Sequence, residues 1–194
     1  LLDVDRLAEE EDENWVFKRS IPLPPEYMRC LIALSRGGKD AAVVREFDVL
    51  EKAFVPDGFH LTEAKSEAAW FDRDTLIVGT DFGEGSLTTS GYPRVLKIWH
   101  RGQPLDEAKT LFEGQTEDVA VGYSRDFASP GKVSLVMRDV TFYEAEYWLA
   151  DDPADLTKVP VPNDAAFEGF FDGRLLFLLR TAWQPGGEKS SARP

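Results

Sequence analysis

The sequence has few of the residues that build metal centres and disulfides, with one cysteine, Cys30, and two histidines, His60 and His100. A lone cysteine cannot form an intramolecular disulfide, which favours a cytoplasmic setting and leaves a periplasmic one open. One cysteine and two histidines are also too few for the usual zinc sites, which take four ligands. We therefore predict no metal and no other cofactor.

The sequence also has fewer positive than negative charges. The 22 lysines and arginines face 35 aspartates and glutamates, for a formal net charge of −13. Such a surface repels phosphate backbones and anionic lipids, which argues against nucleic acid and membrane surfaces as partners. The apolar runs are much shorter than the roughly 20 residues of a membrane-spanning helix. A hydrophobic content of 43% in 194 residues is typical of one globular domain.

No motif of a hydrolytic or phosphate-binding site is complete. Residues 122–126, Gly-Tyr-Ser-Arg-Asp, approach the Gly-x-Ser-x-Gly elbow but lack the second glycine and a following helix. Residues 83–85, Gly-Glu-Gly, precede Pro93 and a strand, whereas a phosphate loop needs a helix N-terminus. His60 and His100 have no recognisable nucleophile or orienting partner in the sequence. We therefore assign no catalytic residue to this chain.

Alternation of apolar and polar residues at the period of two, which is typical of β-strands, recurs along the chain. One predicted hairpin runs from residue 28 to residue 49 across a turn at residues 35–40, and a second spans residues 67–80. Further strands are predicted at residues 15–18, 94–100, 111–112, 117–123, 132–138, 142–149, 166–171 and 175–180, and one helical turn at residues 62–65. Residues 1–14, with seven carboxylates, are expected to be a solvated acidic lead-in with one helical turn, and residues 184–194 a flexible tail.

Two segments 100 residues apart resemble each other. Residues 70–78, WFDRDTLIV, and residues 170–178, FFDGRLLFL, each place two aromatic residues before an Asp-containing turn and an aliphatic strand. A weaker hairpin lies about halfway between them, and a repeat of about 50 residues made only of strands is typical of propeller blades. The five tryptophans fall near strand ends or core faces, where large side chains pack between blades. We predict an all-β fold, a partial β-propeller of about four blades of antiparallel four-stranded sheets over residues 15–183, with a β-sandwich as the alternative.

Residues 80–93 form a long polar loop of the predicted fold and are rich in glycine, serine and threonine. Long polar loops between strands are uncommon in compact domains and are often functional. This loop nevertheless contains no nucleophile motif and no set of metal ligands. Its function has to come from what it covers or contacts.

Several segments, spread over nearly the whole chain except about its last ten residues, carry a family resemblance. They are residues 2–3, 14–16, 30–41, 44–48, 63–66, 69–70, 74–76, 79–102, 168–171 and 175–176, and the most specific is 79–102. Together they resemble the propeller domain of the prolyl oligopeptidase family of serine peptidases, most of all its bacterial prolyl endopeptidase-like branch.

The resemblance implies a seven-bladed propeller that covers the active site of an α/β-hydrolase domain and admits only short peptides. At about 50 residues per blade, this chain would hold roughly four blades and no hydrolase domain, so no triad residue is carried over. The chain also begins without an initiator methionine, and we expect it to be a piece of a longer protein.

The resemblance further implies that residues 81–93, which we call the gate loop, face the absent hydrolase domain and control substrate entry. The gating residues would be Asp81, Gly83, Gly85, Ser86, Thr88, Ser90, Tyr92 and Arg94.

Two functions remain open on the sequence. In the first, the intact protein is a prolyl-specific serine endopeptidase for short proline-containing peptides, and this chain is an inactive fragment of its gating propeller. Its partners would be its own hydrolase domain and the peptide substrate. In the second, the chain is a non-catalytic propeller module that binds a peptide or protein. Because an open propeller exposes blade edges, we also expect an edge-to-edge homodimer or closure into a smaller ring.

Overall fold

Antiparallel β-sheets make up most of the structure, a computed structural model that describes residues 2–129 and 131–184. Blade 1 contains β1 (Trp15–Pro22), β2 (Arg29–Arg36), β3 (Ala42–Asp48), β4 (Ala53–Phe54) and β5 (His60–Ala64). Blade 2 contains β6 (Glu67–Asp72), β7 (Thr75–Gly79), β8 (Val95–His100) and β9 (Lys109–Glu113). Blade 3 contains β10 (Ala120–Arg125), β11 (Ser134–Asp139), β12 (Ala145–Asp152) and β13 (Asp155–Lys158). A two-stranded sheet, the half-blade, follows with β14 (Ala166–Phe171) and β15 (Arg174–Leu178).

The strand order confirms the predicted all-β partial propeller. In blades 2 and 3 each strand pairs with the next one in sequence, and in blade 1 both β4 and β5 pair with β3. The predicted four blades correspond to three complete sheets and the half-blade, and the strands of the described residues close no ring.

One local prediction was wrong. Residues 62–65 were predicted to form a helical turn, but β5 covers most of them because Leu61 pairs with Val44 of β3 and is 1% exposed. The helix expected in the lead-in is α1 (Val4–Glu11), which is longer than the single turn predicted. Asp3 caps this helix by accepting a hydrogen bond from the Arg6 amide at 3.1 Å.

Helix α1 packs on blade 1 through a single buried residue, Leu7, which joins a cluster with Ile32, Leu34 and Phe47. The Trp15 indole donates a hydrogen bond to Glu11 at the end of the helix, at 2.8 Å. Leu2, Val4 and Ala8 are partly buried against the same cluster, so this acidic segment is held on blade 1 by an apolar face.

The core lies mainly between successive blades. Phe59 of blade 1 meets Trp70 and Trp99 of blade 2 edge to face, with ring centroids 5.9 and 5.0 Å apart. Phe112 of blade 2 packs against Trp148 of blade 3 at 4.6 Å. These contacts confirm packing between blades for Trp70, Trp99 and Trp148, whereas Trp15 packs in the cluster between α1 and blade 1.

A polar contact also joins blades 1 and 2. Arg101, just after β8, binds both carboxylate oxygens of the buried Glu46 of β3, at 2.7 and 3.1 Å. It also binds the Asp74 carboxylate at 2.8 Å. None of the helices in the described residues is long and apolar enough to span a membrane. The predicted tail, apart from Gln184, lies outside the described residues.

Candidate functional site

The gate loop joins β7 to β8 at one end of the blades, which we call the gate end. Strand pairing brings four other connections to the same end, since Ala42 pairs with Ala64, Glu67 with Gly79, and Ala120 with Asp139. These connections are residues 37–41, 65–66, 114–119 and 140–144. The loop is therefore surrounded by the turns of three blades.

The first limb of the gate loop, residues 81–86, is closed by the buried hydroxyl of Ser86. This oxygen accepts a hydrogen bond from the Phe82 amide at 2.9 Å and donates to the Gly83 carbonyl at 2.6 Å. The Asp81 carboxylate accepts from the Gly83 amide at 2.9 Å. Gly83 has φ of +103°, a conformation that glycine adopts at little cost, so the limb depends on this residue.

The second limb, residues 87–93, is built around Thr88, which is buried. Its amide donates to the Tyr92 carbonyl at 2.8 Å, and its carbonyl accepts from the Gly91 amide at 2.9 Å. Its hydroxyl donates to the Val119 carbonyl in the connection to blade 3, at 3.3 Å. The Thr89 amide also reaches that connection, at 2.8 Å from the Thr116 carbonyl. The loop is thereby fixed to the seam between blades 2 and 3.

Arg94 ties the loop at Gly85 to the last strand of blade 2. Its Nε donates to the Gly85 carbonyl, and its Nη1 donates to the Glu113 carboxylate at 2.7 Å and the Gly114 carbonyl at 2.8 Å. One guanidinium thus holds the middle of the loop and the start of the next connection.

The tip of the loop, residues 90–92, contacts blade 1 rather than blade 2. The Lys65 ammonium donates to the Ser90 carbonyl at 3.3 Å and lies 4.3 Å from the centre of the Tyr92 ring. Lys65 is not among the residues predicted from the sequence, because no pattern in Ala-Lys-Ser predicts a contact 25 residues further on.

The structure brings the predicted gating residues together as one anchored loop. The side chains of Ser86 and Thr88 are buried and hold the backbone, while Asp81, Ser90 and Tyr92 are exposed at the surface.

The gate end is rich in carboxylates with different environments. Burial alone would raise the pKa of Asp118, but hydrogen bonds from Arg138 at 2.7 and 2.9 Å outweigh it, so its pKa lies below the ordinary value. Asp139 has the opposite shift, because burial and the nearby charges of Glu67 and Asp118 raise its pKa. Neither carboxylate lies beside a nucleophile that it could activate.

Two exposed aromatic residues occupy the neighbouring connection at the gate end. Phe142 is 87% exposed and Tyr143 is 74% exposed, at the turn between β11 and β12. Exposed aromatic side chains on a loop are suited to contact a partner surface or a ligand. The gating residues predicted from the sequence do not include them, because the pattern there predicts only a strand.

The histidines do not form a catalytic group with other residues of the described part of the chain. His100 Nδ1 lies 3.2 Å from the Thr75 hydroxyl, with no carboxylate bonded to the ring. Burial, and then the charge of Arg45, lower the pKa of His60. Residues 2–129 and 131–184 also bring no three metal-binding side chains together.

Comparison with known proteins relates the chain to a family of peptidases. Residues 1–159 match the N-terminal β-propeller domain of prolyl oligopeptidase. The chain is 39% identical over 188 residues to an uncharacterized peptidase of Sinorhizobium fredii, and 30% identical over 197 residues to one of Rickettsia prowazekii. These alignments cover 94% and 95% of this chain but 26% and 27% of the relatives. The chain therefore spans about a quarter of their length.

Solved structures agree with this relationship. A post-proline cleaving enzyme from Rickettsia typhi superposes with a TM-score of 0.85 at 28% identity, over 96% of this chain and 29% of that one. Oligopeptidase B from Trypanosoma brucei superposes with a TM-score of 0.60 at 19% identity, over 86% of this chain and 22% of that one. The second likeness concerns the fold alone.

Proposed function

The chain belongs to the prolyl oligopeptidase family through its N-terminal β-propeller domain, and from this premise we propose that it is the substrate-gating part of a serine endopeptidase for short proline-containing peptides. The observation that supports the proposal most is the anchored gate loop at an end of the blades that also carries exposed aromatic residues. A protein surface built in this way is suited to border a path for peptides.

We place catalysis in the rest of the longer protein. The relatives are named peptidases and are about four times as long as this chain, while its described residues contain no nucleophile with a base and an orienting carboxylate. The partners of this domain would then be an α/β-hydrolase domain of the same polypeptide and the peptide substrate. The 194-residue chain alone would be inactive.

Gating would depend on how the loop is held. Bonds at both limbs and at Arg94 fix the base of the loop. The tip is bonded to Thr88 within the loop, and Lys65 is the one described side chain outside the loop that forms a hydrogen bond with it. We therefore assign the movable part of the gate to Ser90, Gly91 and Tyr92, and the fixed part to residues 81–88. Lids that open while their base stays anchored control access in many enzymes.

The test compares the longer protein with residues 1–194 on two chromogenic peptides that differ only in having proline or alanine before the scissile bond. We expect the longer protein to cleave the proline peptide at least about tenfold faster, and residues 1–194 to cleave neither. A longer protein that cleaves neither peptide would overturn the proposal. Binding of the uncleaved peptides would then favour a non-catalytic binding module.

A further inference from the structure

A cavity of about 270 Å³ lies beneath the tip of the gate loop, at the seam between blades 1 and 2. Small apolar side chains of blade 1 form its floor, and Tyr92 and Pro93 form one wall. The floor residues are Ala33, Ala42, Val44 and Ala64. At about 30 Å³ per water molecule, the volume corresponds to about nine waters, which is enough for one small amino-acid residue with its carboxylate.

The rim of this cavity carries three cations, Lys18, Arg19 and Lys65, and two carboxylates, Asp40 and Glu67. Arg19 lies 3.4 Å from the Glu67 carboxylate, so these two charges offset each other. Asp40 is exposed to water in the turn between β2 and β3, where solvent screens its charge. Lys18 and Lys65 form no ion pair with any described residue, in a chain whose net charge is −13.

Lys65 is half-buried, and its partners are neutral. The Ser90 carbonyl accepts its hydrogen bond at 3.3 Å, and the Tyr92 ring lies 4.3 Å away. The Lys65 ammonium already makes a charge-assisted bond to the Ser90 carbonyl, but a carboxylate adds a full negative charge, whose Coulomb attraction for the ammonium neither the carbonyl nor the ring supplies. An anion in the cavity would therefore compete with the loop tip for Lys65.

We propose that the cavity binds the carboxylate at the C-terminal end of a short peptide through Lys18 and Lys65, and that the bound carboxylate draws Lys65 from Ser90 and Tyr92. The tip of the gate loop then loses its contact with blade 1. The alanine and valine floor suits a peptide whose last residue is small and apolar. The choice of a peptide as the ligand rests on the proposed function, whereas the cationic cavity does not.

The experiment measures binding to residues 1–194 by calorimetry with three probes: a proline-containing tetrapeptide ending in a free alanine carboxylate, the same peptide with a C-terminal amide, and sodium acetate. We expect the free acid to bind at least about tenfold more tightly than the amide and than acetate. Lys18→Met and Lys65→Met should each remove most of this difference, while the exposed Lys109→Met of β9 should leave it unchanged. Circular dichroism of each variant confirms that it is folded.

Amide hydrogen exchange gives the second measurement. The free acid should accelerate exchange at the Gly91 and Tyr92 amides, and the C-terminal amide should not. Equal affinity for the acid and the amide, or an unchanged acid affinity in Lys65→Met, would overturn the proposal, as would acetate binding as tightly as the peptide. These experiments measure no hydrolysis. A longer protein without prolyl peptidase activity would therefore contradict the proposed function but not the binding of a carboxylate in this cavity.

Discussion

Glu46 is buried, with 2% of its surface exposed, and its carboxylate depends on a residue of the next blade. Arg101 supplies two hydrogen bonds to it, and the Phe59 amide supplies a third at 3.1 Å. A buried carboxylate that loses its cationic partner costs several kcal/mol, because neither water nor another charge replaces it. The pair therefore joins blades 1 and 2 by a charge interaction, and separating the blades would leave the Glu46 carboxylate without its cation.

We expect Arg101→Met to lower the free energy of unfolding by about 3 kcal/mol or more, because it leaves the Glu46 charge unpaired. Urea unfolding followed by tryptophan fluorescence measures the change. Arg6→Met, which removes an exposed pair with Glu10, should cost no more than about 0.5 kcal/mol. Adding Glu46→Gln to Arg101→Met should recover part of the loss, and a double variant as unstable as the single one would contradict this explanation.

Asp139 is predicted to oppose folding at neutral pH. Its pKa is raised in the folded state by burial and by the Glu67 and Asp118 charges, so its ionised form is less favourable there than in the unfolded chain. The ionised carboxylate therefore destabilises the fold in full at pH values above the raised pKa. This destabilisation decreases as the pH falls through the raised pKa towards the ordinary value of about 3.9. Asp139→Asn should therefore raise Tm at pH 7 by on the order of 2 °C, and by less near pH 4.

The control for this change is Asp155→Asn, at an exposed strand position, which should leave Tm unchanged at both pH values. Differential scanning calorimetry at pH 7 and pH 4 makes the measurement. If Asp139→Asn lowers Tm at pH 7, the carboxylate has a favourable partner and the predicted sign is wrong.

At the scale of the elements, the gate loop depends on the side chain of Arg94. Arg94 donates to Gly85, Glu113 and Gly114, and no other side chain of the described residues joins these three positions. We expect Arg94→Met to increase amide hydrogen exchange at Ser86 and Thr88 about tenfold, which corresponds to about 1.4 kcal/mol of lost protection. Exchange measured by NMR or mass spectrometry reports it.

Arg174→Met, at an exposed position of β15, is the matched control for Arg94→Met. It should leave exchange in the gate loop as it is in the unchanged chain. Unaltered protection of Ser86 and Thr88 in Arg94→Met would mean that their own hydrogen bonds hold the limbs without the guanidinium.

The elements also show how far the sequence predicts the structure. The hairpin of β2 and β3 was predictable, since Cys30, Ile32 and Leu34 alternate with the residues of the other face. β5 was not, because His60-Leu61-Thr62-Glu63-Ala64 is mostly polar and becomes a strand by pairing with β3. Helix α1 was predicted only as a single turn, because its carboxylates outnumber Leu7, whose burial depends on blade 1.

The candidate site was predictable as a segment but not as a structure. Glycine, serine and threonine in residues 80–93 mark a loop, and the family resemblance suggests a gate. The contacts of Arg94 with Gly114 and of Lys65 with Ser90 join residues 20 and 25 positions apart across different turns. Only the stacking of the blades brings these residues together.

At the scale of the whole molecule, the half-blade leaves an apolar surface exposed. Phe171, Leu176 and Leu178 are 69%, 46% and 56% exposed, and β15 has no neighbour on its outer side among the described strands. Unpaired strand edges readily pair with another chain. We expect residues 1–194 to form an edge-to-edge dimer at micromolar concentration, with β15 at its centre.

Light scattering tests this expectation through the concentration dependence of the molar mass. Leu176→Lys together with Leu178→Lys should shift the chain towards monomer, because a charged edge opposes pairing. The exposed Leu50→Lys, in a turn of blade 1, should have no effect. A monodisperse monomer at all concentrations would contradict the expectation of an open edge that pairs.

The gating function itself is tested most directly by comparing two substrates in the longer protein, a proline tetrapeptide and a proline-containing peptide of about 30 residues. If residues 81–93 restrict entry, Arg94→Met should raise kcat/KM for the long peptide relative to the short one by at least about threefold. Arg174→Met should leave the ratio unchanged. Hydrogen exchange shows whether Arg94→Met has loosened the loop. If it has, and the ratio of kcat/KM for the long and short peptides is unaltered, a gating role for this propeller loop is contradicted.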